Sequence, residues 1–319
     1  HEVVAALLEH FKDIDVLEKN DFGRSSLTEG FGSKSTDTAR LLLEHDSATE
    51  ERLLQGAQEV DADEEMEDAD EKKKASVIHD FAFLLDVPSS IVKIRELPIT
   101  DDPFGNAPVD DTTGFGIWCA SLVMARWMAS VGGKSDNKFK DKTVVELGAG
   151  CGVPGLALAR HGAPKHLIVT DLNPTTVENL QYNVDLNEMT NMASASTIDW
   201  DDESTWPSSM SSPHEVDVVI GSDLIYQKSI VPLLKKVVLG LLRRNGGSFF
   251  YVAPDTGRDG LDQFLEEIQS EGMTLVSKTA APQEYYLNPL ASQDDEECFL
   301  HFHELASSTY ILYEFQTTS

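Results

Sequence analysis

Residues 144–155, VVELGAGCGVPG, constrain the fold of this chain more than any other stretch. An apolar run reaches a carboxylate at Glu146, then glycines at 148, 150 and 152, then Pro154 at a helix start. Glycine is required where the backbone takes φ > 0 or comes within contact of a ligand, and a following helix presents unpaired N–H groups there. The order therefore describes a nucleotide-cradling turn. Downstream, apolar runs predict strands over 143–147, 166–170, 194–198, 216–221, 247–253, 273–279 and 308–315. Helical spacing fills 154–162, 174–187, 228–243 and 257–271 between them. That alternation predicts an α/β fold with a parallel sheet covered by helices on both faces.

Two ligand classes fit the turn. Gly150, Gly152 and Gly155 satisfy G-x-G-x-x-G, and Asp171 lies 171 − 152 = 19 residues after Gly152, where an NAD-dependent dehydrogenase places its ribose carboxylate. In the other frame, Glu146 precedes the glycines as E-x-G-x-G-x-G, which resembles the S-adenosylmethionine-dependent methyltransferases with seven strands. A hairpin-like final pair of strands after the doubly wound core favours the methyltransferase topology.

Upstream, Ser76–Leu84 and Ile91–Ile99 predict a β-hairpin about a turn at Pro88, Ser89 and Ser90. Residues 112–131 predict an apolar-striped helix that starts near Gly116, carries Trp118 in its first turn and lies over the cofactor pocket. Residues 1–58 read as a polar-faced helical extension, faintly like one ankyrin-type helix pair from 20–31 and the ARLLLEHDSA that follows; packing as a cap on the main domain is the first expectation and docking of a substrate the second. Residues 59–75 read as a linker, because Glu59–Lys74 holds nine acids and three lysines and nothing to bury. The catalytic domain is then 76–319.

The formal charge of −30 excludes binding of nucleic acid through its phosphates and favours a protein substrate with a basic surface. No membrane span or secretory signal is read from the described pattern, and Glu2, Glu9 and Lys12 interrupt the first residues. The chain starts at His1, so a native start and any targeting segment are expected ahead of it. Cys119, Cys151 and Cys298 form no C-x-x-C pair, which implies a reduced compartment without structural zinc. A cytoplasmic or also nuclear monomer that holds no metal is expected.

Asp171, at the end of IVTD, can accept hydrogen bonds from both ribose hydroxyls; as a helix cap it is outcompeted by Asn173. Asp199 and Trp200 follow the third core strand and suit an adenine, the acid accepting from its amino group and the indole stacking on the ring, although a plain strand end with a buried Trp is the alternative. Cys151 reads as a small residue in a tight turn. His301 and His303 alternate like strand residues. Arg258 either shapes an acceptor channel or caps a helix.

The segment DVVIGSDLIY, 217–226, places Ser222, Asp223 and Tyr226 at the carboxyl edge of the sheet. This D-x-x-Y, together with ELGAGCG and the I-W-x-A helix, resembles the family 16 methyltransferase-like proteins over about residues 76–315. Members of that family are mostly protein-lysine methyltransferases acting on translation factors, chaperones and similar proteins. The resemblance implies S-adenosylmethionine as cofactor, contacted by Trp118, Glu146, Gly148, Gly150, Asp171, Asp199, Trp200 and Ser222, with Gly152 completing the turn. It implies that Asp223 and Tyr226 hold and orient the acceptor amine. A lysine arrives as an ammonium with a reference pKa of about 10.4, so it must lose a proton, and deprotonation is left to solvent. A small-molecule N-methyltransferase and a non-catalytic adaptor that keeps the fold are the other readings.

Overall fold

The computed structural model describes residues 2–11, 14–18, 25–26, 36–48, 76–84, 90–98, 111–207, 216–255, 258–302 and 304–318. The chain divides into two compact units, 1–72 and 73–319. The acidic tract, the turn residues Pro88 and Ser89, most of the ankyrin-like segment and His303 lie outside the described residues.

In the first unit, α1 (Glu2–His10) and α2 (Thr36–Leu43) surround buried Val16, Leu42 and Ala48. Val4, Leu8 and Ile14 pack against them, and the Val16 amide donates to Ser47 Oγ at 3.0 Å.

The second unit opens with an antiparallel pair, β1 (Val77–Phe81) and β2 (Val92–Glu96), in which Phe81 faces Val92. Then follow α3 (Cys119–Gly132), β3 (Thr143–Glu146), α4 (Val153–Gly162), β4 (His166–Asp171), α5 (Pro174–Leu186) and β5 (Ala193–Thr197). After these come β6 (Val218–Ser222), α6 (Val231–Leu241), β7 (Ser248–Pro254), α7 (Leu261–Ser270) and β8 (Met273–Ala280). The chain closes with α8 (Asp295–Phe302), α9 (Glu304–Ser307) and β9 (Tyr310–Thr317). Among the described residues seven strands form one sheet in the order β5-β4-β3-β6-β7-β9-β8. The first five are parallel, and β9 runs antiparallel to both β7 and β8. This is the seven-stranded order with a reversed strand inserted near one edge, which a dehydrogenase sheet lacks, so the dinucleotide reading falls.

Period-two alternation sends the strand side chains into two cores. Val144, Val218, Ile220, Phe250 and Val252 meet α3 and α4, while Val145, Val219, Phe249 and Tyr251 meet α6 and α7. Glu146 belongs to the first face by the same alternation, and it is almost completely buried there. Its acidity is thus confined beneath the glycine turn.

Helix α5 also anchors the hairpin. Asn173 caps it by accepting from the Thr175 and Thr176 amides, and Pro174 takes the first turn, as its residue type favours. Asn183 and Asn187, one turn apart and buried, act as a surrogate strand for the edge of β2. Asn183 Oδ1 accepts from Arg95 N at 2.8 Å and Asn187 Oδ1 from Lys93 N at 2.9 Å. Their amide nitrogens donate to Arg95 O at 3.1 Å and Lys93 O at 2.6 Å. Asn183 Nδ2 also donates to Cys151 O at 3.0 Å, which ties the hairpin to the glycine turn. Asn183→Ala strands buried backbone groups on two segments and should lower stability by about 2–3 kcal/mol. A thermal melt should show a drop of roughly 4–12 °C; an unchanged midpoint would mean that water replaces the amide.

The strand reading of His301 is corrected. His301 lies in α8, because a 3.6-residue period buries Phe302 and Leu305 three apart while Phe299 stays 68% exposed. The connection between β8 and β9 therefore contains helices instead of a tight hairpin.

Candidate active site

Five strand ends meet at one cavity of about 410 Å³. That volume falls within the range of pockets that take drug-sized ligands, roughly 300–1,000 Å³. The turn after β3 contributes Gly148 to Cys151, the end of β4 Asp171, and the segment after β5 Ile198, Asp199 and Trp200. The end of β6 contributes Ser222, Asp223, Leu224 and Tyr226, and the loop after β7 contributes Arg258. A further wall comes from the approach to α3, with Asp111, Thr113, Gly114 and Trp118. The cavity straddles the point where the strand order reverses between β3 and β6, at the carboxyl ends, as open α/β sheets require.

Gly148, Gly150 and Gly152 all have positive φ, at 53°, 54° and 80°. At Gly148 a Cβ would also lie 2.6 Å from Leu224 Cδ2, with Trp200 behind it, so a side chain there would fill the cradle. The turn is pinned from two sides. Gly150 N donates to Asp171 Oδ2 at 3.1 Å, and Gly155 N donates to Glu146 Oε2 at 2.9 Å. Cys151 sits as a small buried residue, its thiol donating to Phe115 O at 3.0 Å, and burial pushes that thiol well above its ordinary value.

Two residues expected at the cofactor are absent from the cavity wall. Gly152 ends the turn as the residue before α4, and Glu146 lies beneath it; the alternation of β3 sends Glu146 inward, where it accepts from the amide of Gly155. Burial pushes the Glu146 carboxyl up to about 8, against the pull of the Gly155 N–H. Glu146 is thus protonated in the folded protein at pH values where the unfolded chain, with an ordinary value of 4.5, is ionised. Its stabilising contribution is full below about pH 4.5 and disappears as pH rises to about 8, a loss of up to about 5 kcal/mol. Asp171 and Asp223 are also raised, mainly by burial, and act in the same direction. Glu146→Gln keeps an acceptor for Gly155 and carries no charge, so its melting temperature should fall less between pH 5 and 8 than that of the parent. Parallel slopes would remove Glu146 from the pH dependence.

The other candidates converge. Asp171 accepts from Gly150 N and, through Oδ1, from Leu172 N at 2.8 Å, so its orientation is set by backbone. Asp199 and Trp200 lie in a clasped loop: Asp199 N donates to Thr205 Oγ1 at 2.9 Å, and the Trp206 indole donates to Asp199 O at 2.8 Å. Trp118 is the residue before α3, 47% exposed, and its indole donates to Thr113 O at 2.7 Å. Tyr226 is 44% exposed at the wall; burial and the neighbouring Asp111 and Asp171 raise its hydroxyl, which stays protonated.

Asp223 departs from the simple reading. It stands at φ 52°, which a short acid tolerates, with its amide donating to Val252 O at 2.8 Å. Arg258 Nε donates to Asp223 Oδ1 at 2.6 Å and Arg258 Nη2 to Oδ2 at 2.5 Å, a two-pronged pair. Of the two roles read for Arg258, the structure gives it a place on the cavity wall beside Asp223. Asp111 and the apolar Leu224, Ile230 and Leu233 were not read from the sequence; their only signal is proximity in three dimensions.

Residues 106–271 match a family model described as lysine methyltransferase. The chain belongs to this family. Among curated relatives it is 30% identical over 182 residues to the mouse protein-lysine N-methyltransferase EEF2KMT, covering 51% of this chain and 50% of that one. It is 25% identical over 172 residues to the calmodulin-lysine N-methyltransferase of Arabidopsis thaliana, covering 53% and 54%. It is 25% identical over 177 residues to the protein-lysine N-methyltransferase EFM3 of Chaetomium thermophilum, covering 53% and 50%. The chain thus spans about half the length of the curated relatives it matches.

A methyl-donor nucleoside fits the donor set of this family site. The left-handed backbone at Gly148 disfavours a side chain and keeps the cradle open, Asp171 offers a carboxylate at the tip of β4, and Asp199 with Trp200 offers an acceptor beside an aromatic face. The charged wall residues are Asp111, Asp171, Asp199 and Asp223 against Arg258, which suits a positively charged ligand.

Proposed function

We propose that this chain transfers a methyl group from S-adenosylmethionine to a lysine side chain of a protein. The observation that carries the reading is the convergence, in a member of the lysine methyltransferase family, of the glycine turn, Asp171, Asp199–Trp200 and Asp223–Tyr226 on one acidic cavity. Gly148 and Gly150 would admit the cofactor to the backbone, Asp171 would take its ribose, and Asp199 and Trp200 its adenine. Trp118 and Ser222 would complete the cofactor wall.

When bound, S-adenosylmethionine supplies a methyl whose bond to cationic sulfur breaks as an amine lone pair forms the new N–C bond. The protein's share is alignment and exclusion of water. Asp223 offers its carboxylate and Tyr226 its protonated hydroxyl to orient the amine, whose proton leaves to solvent. Leu224, Ile230 and Leu233 keep the wall apolar beside them.

Among the described residues no helix is long and apolar enough to cross a membrane. The net charge of −30 favours a protein substrate with a basic surface around the target lysine. Incubation of a cell extract with methyl-labelled cofactor, followed by mass spectrometry, should locate label on lysine of one or few proteins. Label confined to small metabolites would replace this reading with a small-molecule N-methyltransferase.

A further inference from the structure

A carboxylate beside an acceptor amine presents a chemical conflict. It orients the nitrogen, but its charge also stabilises the ammonium, whose lone pair is unavailable for methyl transfer. An unscreened acid at this point would hold the substrate in its unreactive form.

Arg258 resolves the conflict in this chain. Its two N–H groups reach the two oxygens of Asp223 at 2.6 and 2.5 Å, and both residues are on the cavity wall. A bidentate guanidinium occupies one direction at each oxygen, and a carboxylate offers about four acceptor directions, so two remain. The Asp223 side chain keeps 15% of its surface exposed and Arg258 30%, which leaves the pair accessible from the cavity. The other charged or titratable groups that act on the pair are Glu304 of α9, Tyr251 of β7 and Tyr310 of β9. None of these is a cation, so among the described residues Arg258 is the positive partner of Asp223.

We propose that Arg258 is a positioning residue that cancels the charge of Asp223 while leaving its oxygens able to accept a hydrogen bond from the acceptor amine. This rests on the reading that Asp223 faces that amine. Arg258 thereby separates orientation of the nitrogen from stabilisation of its protonated form, and the amine enters the site able to lose its proton.

The direct test uses n-butylammonium as a stand-in for the lysine head, titrated by NMR into protein saturated with S-adenosylhomocysteine. Arg258→Gln should bind it about tenfold more tightly than the parent at pH 7, because an uncancelled carboxylate is exposed to the cation. Arg258→Lys should stay near the parent, and Asp223→Asn with Arg258→Gln should lose the gain. Equal or weaker binding by Arg258→Gln, or an undiminished gain in the double variant, overturns the proposal. With the labelled protein from the extract as saturating substrate, the rising limb of the kcat profile, which reports the amine inside the complex, should move up by about one pH unit in Arg258→Gln. A purely structural role would lower the rate by one factor at every pH and leave the limb in place, which also overturns it. Failure of the parent to label any lysine would sink the proposed function, whereas the amine titration reads Arg258 and Asp223 without methyl transfer, so the two failures are distinguishable.

Discussion

Asp223→Ala should reduce kcat/KM for protein methylation by at least about 100-fold, roughly 2.7 kcal/mol in transition-state free energy. Two losses combine. The acceptor amine loses the carboxylate that orients it, and a misplaced nucleophile alone can lose about two orders of magnitude. In addition, Arg258 loses both bonds and becomes an uncompensated cation on the wall that an ammonium must approach. The pair is partly solvated, so its loss should lower stability by only about 1–3 kcal/mol, below the range for fully buried pairs. Calorimetry should find S-adenosylmethionine affinity within about threefold of the parent, while single-turnover methylation collapses. Activity within tenfold of the parent would show that Asp223 does not touch the acceptor.

Asp171→Ala should have the opposite signature, weakening S-adenosylmethionine by about 1.5–3 kcal/mol, or roughly 10- to 150-fold. A charged acceptor at the tip of β4 matches the two hydroxyls of a ribose, and such hydrogen bonds are stronger than neutral ones. The same carboxylate accepts from Gly150 N and Leu172 N, so its removal also loosens the turn. Asp171→Asn separates these contributions, because its remaining carbonyl oxygen can still accept from one of those amides. If Asn restores the melting temperature but not the affinity, the carboxylate acts on the ligand. If both variants bind the cofactor as the parent does, Asp171 only supports the backbone.

The two substitutions divide the site as the fold does. The ends of β4 and β5 deliver Asp171, Asp199 and Trp200, read as ribose and adenine contacts, whereas the segment after β6 and the loop after β7 deliver Asp223, Tyr226 and Arg258. The switch point between β3 and β6 brings the halves together. Methyl transfer requires that meeting, because its two reactants must be aligned in one water-poor space.

Much of this was legible in the sequence because it depends on local chemistry. Three glycines two apart mark a turn whose backbone can take positive φ without a side-chain penalty, and Gly148, Gly150 and Gly152 adopt it. Pro174 after Asn173 announces a helix start, and Asn173 caps it. Apolar runs specify β3, β4, β6 and β7 within a few residues at each end, since a strand buried on both faces has no polar alternative. The segment around His301 failed for the converse reason: three aromatic-rich residues fit either period, and only the burial of Phe302 and Leu305 against the rest of the domain selects the helix.

Tertiary structure alone decided three things. It paired β9 with β7 as well as with its predecessor β8, and no local pattern encodes which of the two lies at the edge. It buried Glu146, read from the sequence as a cofactor contact, and aimed its carboxyl at Gly155 N, because the pleat of β3 and the close packing of α4 turn it inward. It also set Arg258 on Asp223, 35 residues away, converting a lone acid into a cancelled pair. Sequence determines conformational preference, which acts over a few bonds; electrostatic partnership acts through space, and only the folded chain establishes which charges meet.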